Sequence, residues 1–138
     1  MTLLYGDLTE RIIGICMQVH NELGHGFSES VYHRSLMVAF GQAGLQAASE
    51  VRIAVKFRGC DVGHFVADLV VEDKVVIELK AVARLASDHS AQVINYLKAS
   101  GMLVALLVNF GAPRMQHKRL EHPSRYHVHD QQEHPFAS

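Results

Sequence analysis

Cysteine, proline and long apolar runs are all scarce in this chain of 138 residues, and each scarcity excludes something. Cys16 and Cys60 stand apart with no CxxC, which excludes a disulfide framework and a thiolate zinc site and leaves two reduced thiols. No run approaches the roughly 18 apolar residues that a membrane span requires. The N-terminal "MTLLYGDLTER" carries an acid where a signal peptide would carry basic residues, so a cytoplasmic location is expected. Neither sign of charge dominates. Thirteen basic residues against fourteen acidic ones give a net charge of −1, which excludes broad electrostatic coating of nucleic acid and requires any polyanion to meet a local patch. What the chain does have is 49% hydrophobic residues, enough for one well-filled core and too short a sequence for two ordinary domains.

The apolar residues Ile12, Ile13, Cys16, Met17, Val19 and Leu23 form a helical stripe that predicts a first helix from Leu8 to Leu23, ended by Gly24. A second helix is expected from about Glu29 to Ala43, closed by Gly44. "ASEVRIAVKFRG" alternates towards a turn at Gly59 to Gly63, "HFVADLVVED" and "KVVIELKAV" read as short β-rich runs, and "SDHSAQVINYLKASG" returns to helical spacing. "MLVALLVNFG" is an unbroken apolar run of strand length, as in a strand buried on both faces. The expected order is ααβββαβ, with room for a last strand near His117 to Glu121. From Pro123 on the chain is polar and expected to fray.

Between the first two helices, "GHGFSESVY" reads locally as a helix start. Ser28 is expected to cap, Phe27 and Tyr32 to form a hydrophobic staple, and Glu29 suits the positive end of the helix dipole.

The chemistry concentrates on the second and third β-rich runs. In a strand, positions i and i+2 share a face, so Glu78 and Lys80 are neighbours and Leu79 points away. From Phe65 to Leu79 the odd positions are apolar and the even ones include Asp68, Glu72, Lys74, Glu78 and Lys80. The two apolar faces coincide only if Val71 faces Val75 across a three-residue loop, Glu72-Asp73-Lys74. That register sets Asp68 opposite Glu78, with Cβ atoms roughly 4.5 to 5.5 Å apart. Two carboxylates so placed repel unless something positive lies between them, and a hard divalent cation such as Mg²⁺ or Mn²⁺ meets that need. Lys80 on the same face would hold water or a phosphate oxygen, or stabilise developing charge. The same three residues also read as a surface salt bridge worth under about 1 kcal/mol. Val66, Val70 and Val76 share the charged face, so it is not simply solvated. Gln92 and Tyr96 lie at i and i+4 on one helix face, with His89 a turn earlier.

Taken together, Asp68, the "ELK" of Glu78 to Lys80 and the "QVINY" of Gln92 to Tyr96 resemble the PD-(D/E)xK nuclease superfamily, in particular its RecB-like members with a trailing QxxxY helix. "GFSESVY" is similar to the GxxExxY signature, Gly26, Glu29 and Tyr32, of small proteins named for it. The resemblance runs through "LLVNFG" to "KRLEH" and leaves out only the tail. It implies an α/β, restriction-endonuclease-like single domain over residues 1–122, with a mixed central sheet flanked by helices, then a flexible, His-rich tail over 123–138. It further implies Asp68, Glu78 and Glu29 as acidic residues of a Mg²⁺ or Mn²⁺ site and Lys80 as the catalytic lysine. His20 corresponds to an upstream histidine that can be a further ligand, although its place on the Ile13, Met17 face also reads as a buried core histidine. Gln92, Tyr96, Tyr32, His89 and Arg84 would bind substrate or order the site. Ala67 stands where the superfamily's name has proline.

Two functions compete on these residues. One is a metal-dependent hydrolase acting on phosphodiester bonds of DNA or RNA, with Arg84, Arg114, Lys118 and Arg119 as a small basic patch. The other is a catalytically silent nucleic-acid- or protein-binding regulatory module that keeps the nuclease fold. A third reading, metal binding by His117, His122, His127, His129 and His134, lacks regular ligand spacing. No membrane partner is expected, and homo-oligomerisation is left open.

Overall fold

The computed structural model describes residues 3–125; the part of the expected tail from residue 126 on, with His127, His129 and His134, lies outside the described residues. Helices α1 (Gly6–Leu23) and α2 (Glu29–Gln42) come first, followed by strands β1 (Ala47–Phe57), β2 (Cys60–Val71) and β3 (Val75–Lys80). Helix α3 (Ser87–Ser100) crosses to β4 (Val104–Asn109), and β5 (Gln116–Glu121) closes the order as ααβββαββ. The five strands form one mixed sheet in sequence order, with β3 and β4 parallel through the α3 crossover and every other neighbouring pair antiparallel. No helix among the described residues is long and apolar enough to cross a membrane.

Both faces of the sheet are covered. On one, Ile12 and Cys16 of α1 and Tyr32, Leu36 and Phe40 of α2 pack on Leu69, Val71, Ile77, Leu79, Leu106 and Val108. On the other, Val93, Tyr96 and Leu97 of α3 pack on Val70, Val76, Ala105, Leu107 and Leu120. This double coverage is why "VALLVN" is buried at every position.

The register expected from the apolar faces is present: Val71 pairs with Val75 across Glu72-Asp73-Lys74. The single parity from Phe65 to Leu79 is not. Leu69 and Val71 face α1 and α2, whereas Ala67 and Phe65, of the same parity, pack in the α3 core. β1 does the same, with Ala47 on one side and Val51 and Ile53 on the other. The cause lies at Glu50, whose φ of 53° is left-handed and which drops out of the β1–β2 ladder between Ser49↔Leu69 and Val51↔Ala67. The hairpin therefore rolls over at the level of Glu50 and Asp68. Its turn is also tighter than expected: Arg58 and Gly59, both with positive φ, form a two-residue connection, and Gly63 belongs to β2.

Candidate metal and phosphodiester site

Asp68 and Glu78 come together where two ladders fail. The β2–β3 register stops at Leu69↔Ile77, one step short of the two acids. In place of ladder bonds, the Asp68 N–H donates to Glu78 Oε1 at 3.3 Å and the Leu79 N–H donates to Asp68 Oδ2 at 2.7 Å. Both acids are half-buried. Burial, followed by the hydrogen bond and the negative charge of Asp68, pushes the Glu78 carboxyl up to about 9. Lys80, also half-buried, ends β3 two residues on, and its charge pulls Glu78 the other way. Val76 on the same parity lies in the α3 core, so Glu78 and Lys80 look towards α3. Tyr96 of α3 is buried there; burial and then the charge of Glu78 raise its phenol, whose hydroxyl donates to the Val51 carbonyl at 3.4 Å.

The loop before α2 is built around Tyr32. Its hydroxyl donates to the Gly24 carbonyl at 2.6 Å and accepts from the Phe27 N–H at 3.4 Å. The rings of Phe27 and Tyr32 meet edge to face at 6.2 Å, the expected staple. Ser28 occupies the N-cap position without a side-chain bond to the helix backbone; its Oγ meets Ser30 Oγ at 3.0 Å instead. Gly26 has φ 111° with open space around it, so backbone conformation, not crowding, favours glycine there. Glu29 begins α2 and is exposed.

The other expected site residues divide. His20 is buried, with Nε2 against the Ala112 carbonyl at 3.0 Å, which is the arrangement of a bonded core histidine. Gln92 is exposed on α3, and Arg84 is exposed in the loop ahead of it. His89 closes the start of α3, where its Nδ1 accepts the Ala86 N–H at 3.0 Å. Arg119 is committed to structure: it donates to the Leu4 carbonyl at 2.7 Å and to Glu121 Oε2 at 3.0 Å, and it faces α1. Lys118 is exposed on the opposite, α3-facing side, where Glu78 pairs with Leu107 and Leu107 with Lys118. Arg114 is exposed beside a cavity of about 530 Å³ lined by Met17, His20, Asn21, Pro113, Met115 and His117.

Of the four expected metal ligands, the structure thus joins Asp68 to Glu78. No group of three or more histidine, cysteine or acidic side chains placed to hold an ion occurs among the described residues. Sequence reasoning missed Asn109, a fully buried polar side chain with four hydrogen bonds. Its signal was present: one amide inside an otherwise apolar run has to be satisfied internally.

A family model described as PD-(D/E)XK nuclease superfamily matches residues 6–120. A search of the curated proteins finds no match. Among solved structures, the crystal structure of SSO0001 aligns with a TM-score of 0.54 at 16% identity, covering 83% of this chain and 77% of that one. An alkaline exonuclease (LHK-Exo) from Laribacter hongkongensis gives 0.49 at 12% identity over 96% of this chain and 78% of that one. The same exonuclease in complex with dAMP gives 0.46 at 12% identity over 96% and 77%. The likeness to SSO0001 concerns the fold.

Proposed function

Because the chain belongs to the PD-(D/E)XK nuclease superfamily, we propose that it hydrolyses phosphodiester bonds of DNA or RNA with Mg²⁺ or Mn²⁺, and that within the superfamily it is a GxxExxY protein. The observation that carries this reading is the Asp68–Glu78 pair: two half-buried carboxyls hydrogen-bonded across the strand gap, one of them pushed up to about 9. Such a pair fits a divalent cation, because the positive charge of an ion offsets the burial, and the nearby Asp68 charge, that together raise the Glu78 carboxyl. Asp68 and Glu78 would hold the metal, with Glu29 as the outer candidate, and the bound ion would supply a nucleophilic hydroxide and polarise the phosphate.

The chain's own groups supply the rest. Lys80 places an ammonium beside the two acids to steady charge on the phosphate oxygens. Tyr96 and Gln92 close the α3 side, while Tyr32 fixes the loop that presents Glu29. Lys118 and Arg114, with Arg84 and His89 from the loop after β3 and the start of α3, are the cations and donors that would carry the nucleic-acid backbone.

A second reading, a nucleic-acid- or protein-binding module without turnover, is favoured by one observation: only two of the expected ligands meet, and no larger group assembles among the described residues. A metal series on labelled single- and double-stranded DNA and RNA separates the two. Cleavage should require Mg²⁺ or Mn²⁺, and Lys80→Ala should lower kcat roughly 100-fold or more while the metal-induced thermal shift stays. Equal residual cleavage by wild type and Lys80→Ala would make the binding module the better reading.

A further inference from the structure

The segment that follows β4 touches the elements that supply Lys80, Tyr32 and His20. The Phe110 N–H donates to the Lys80 carbonyl at 2.8 Å. The Phe110 ring stacks on Tyr32 with centroids 4.7 Å apart, and the Ala112 carbonyl meets His20 Nε2 at 3.0 Å.

Asn109, the last residue of β4, leads into this segment. Its Oδ1 accepts from the N–H groups of Val82 and Gly111, each at 3.0 Å. Its Nδ2 donates to the Val82 carbonyl and to Gln116 Oε1, each at 2.9 Å. A carboxamide has two N–H donors and one oxygen with two lone pairs, so its capacity is filled. By pairing with both the N–H and the C=O of Val82, the side chain imitates a peptide group and prolongs the β3–β4 ladder past its last pair, Lys80↔Asn109. Gly111 permits the close approach: a Cβ there would lie 2.4 Å from the backbone of Ala81 and Val82.

We infer that Asn109 is a positioning residue for Lys80. Lys80 is the last residue of its strand, where a backbone frays, and its ammonium sits at the end of a flexible four-carbon stem. Clamping Val82 two residues on, with Phe110 on the Lys80 carbonyl, removes the backbone freedom at the root of that stem. Asn109 itself acts through Lys80: its side-chain hydrogen bonds go to Val82, Gly111 and Gln116, none to Asp68 or Glu78. The inference rests on the proposed role of Lys80 in phosphodiester hydrolysis.

The test is a double-mutant cycle in single-turnover cleavage with Asn109→Ala, Lys80→Ala and the pair. Asn109→Ala should lower the rate about 10-fold or more, with substrate affinity and the Mg²⁺-induced thermal shift within about twofold. In the Lys80→Ala background it should change the residual rate by less than about twofold. Phe40→Leu, a buried change on α2, serves as the stability control: it should lower Tm and leave the rate alone. If Asn109→Ala does not fold, Gln116→Ala removes one exposed partner of the carboxamide and runs through the same cycle. Equal losses in both backgrounds, or a loss confined to affinity, would overturn the positioning role while leaving the hydrolase reading intact. Absence of any Lys80-dependent cleavage by the wild type would overturn that reading, and the positioning role with it.

Discussion

Asp68 and Glu78 each complete the other's strand: the Asp68 amide is bonded by the Glu78 carboxyl at 3.3 Å, and Asp68 in turn takes the amide of Leu79, the residue after Glu78, at 2.7 Å. Side chains thus replace a ladder that ends at Leu69↔Ile77. The acids serve the backbone, and an ion held by the same oxygens would compete for them.

Burial of this pair gives a pH dependence of stability. The Glu78 carboxyl moves from its ordinary 4.5 to about 9 in the folded chain, through burial and then its bond to and charge repulsion from Asp68. The folded value is the higher one, so the stabilisation is complete below 4.5 and is lost as pH rises through about 9. In chelator, Tm of the wild type should fall from pH 5 to pH 9 more steeply than that of Glu78→Gln. Parallel curves from thermal melts would show that Glu78 is not the titrating group.

Added cation should reverse the trend. A divalent ion needs both carboxylates ionised, so its binding releases a proton below about pH 9 and strengthens with pH. At 100 times its dissociation constant, Mg²⁺ or Mn²⁺ should stabilise the wild type by about 2.7 kcal/mol, whereas Asp68→Asn should gain nothing. The check is a thermal-shift titration at pH 6 and pH 8; equal gains in wild type and mutant would place the ion elsewhere.

Arg119 and Lys118 are adjacent in sequence and should behave oppositely. Arg119 ties β5 to the start of α1 through the Leu4 carbonyl and Thr9 Oγ1, and it holds Glu121. Arg119→Ala should therefore cost about 1.5 to 3 kcal/mol of stability with no change in the salt dependence of nucleic-acid binding. Lys118→Ala should leave denaturant midpoints unchanged and reduce the salt slope of binding by about 1. Binding isotherms at several salt concentrations, set beside urea melts, decide between these outcomes.

How far the sequence could be read follows from what each signal encodes. The apolar alternation of β2 and β3 encodes register, because only an even pairing unites Leu69, Val71, Ile77 and Leu79, and Val71↔Val75 is what forms. It does not encode the roll at Glu50, since a left-handed residue of ordinary type leaves the alternation of its neighbours intact while moving Val51 and Ala67 to the other core. Likewise Arg119 reads as one more cation in a basic stretch, and only the return of α1 against β5 shows that its guanidinium is occupied. Ser28 fails as a helix cap for a local reason that spacing does not reveal, namely a nearer hydroxyl on Ser30. The GFSESVY stretch was better specified, because the Phe27–Tyr32 contact is fixed by short-range geometry.

The roll at Glu50 also bears on how copies of this chain behave towards one another. β1 is an outer strand of the sheet, and at 11 residues it would be a long template for strand addition if it were flat. It is interrupted twice, by the left-handed Glu50 and by a bulge between Val55 and Lys56, and it carries the exposed charges of Glu50, Arg52 and Lys56. A substitution that straightened Glu50 into the ladder would both turn the hairpin away from α3 and present an unbroken edge to a neighbour, so misalignment of the acidic pair and aggregation would arrive as one defect.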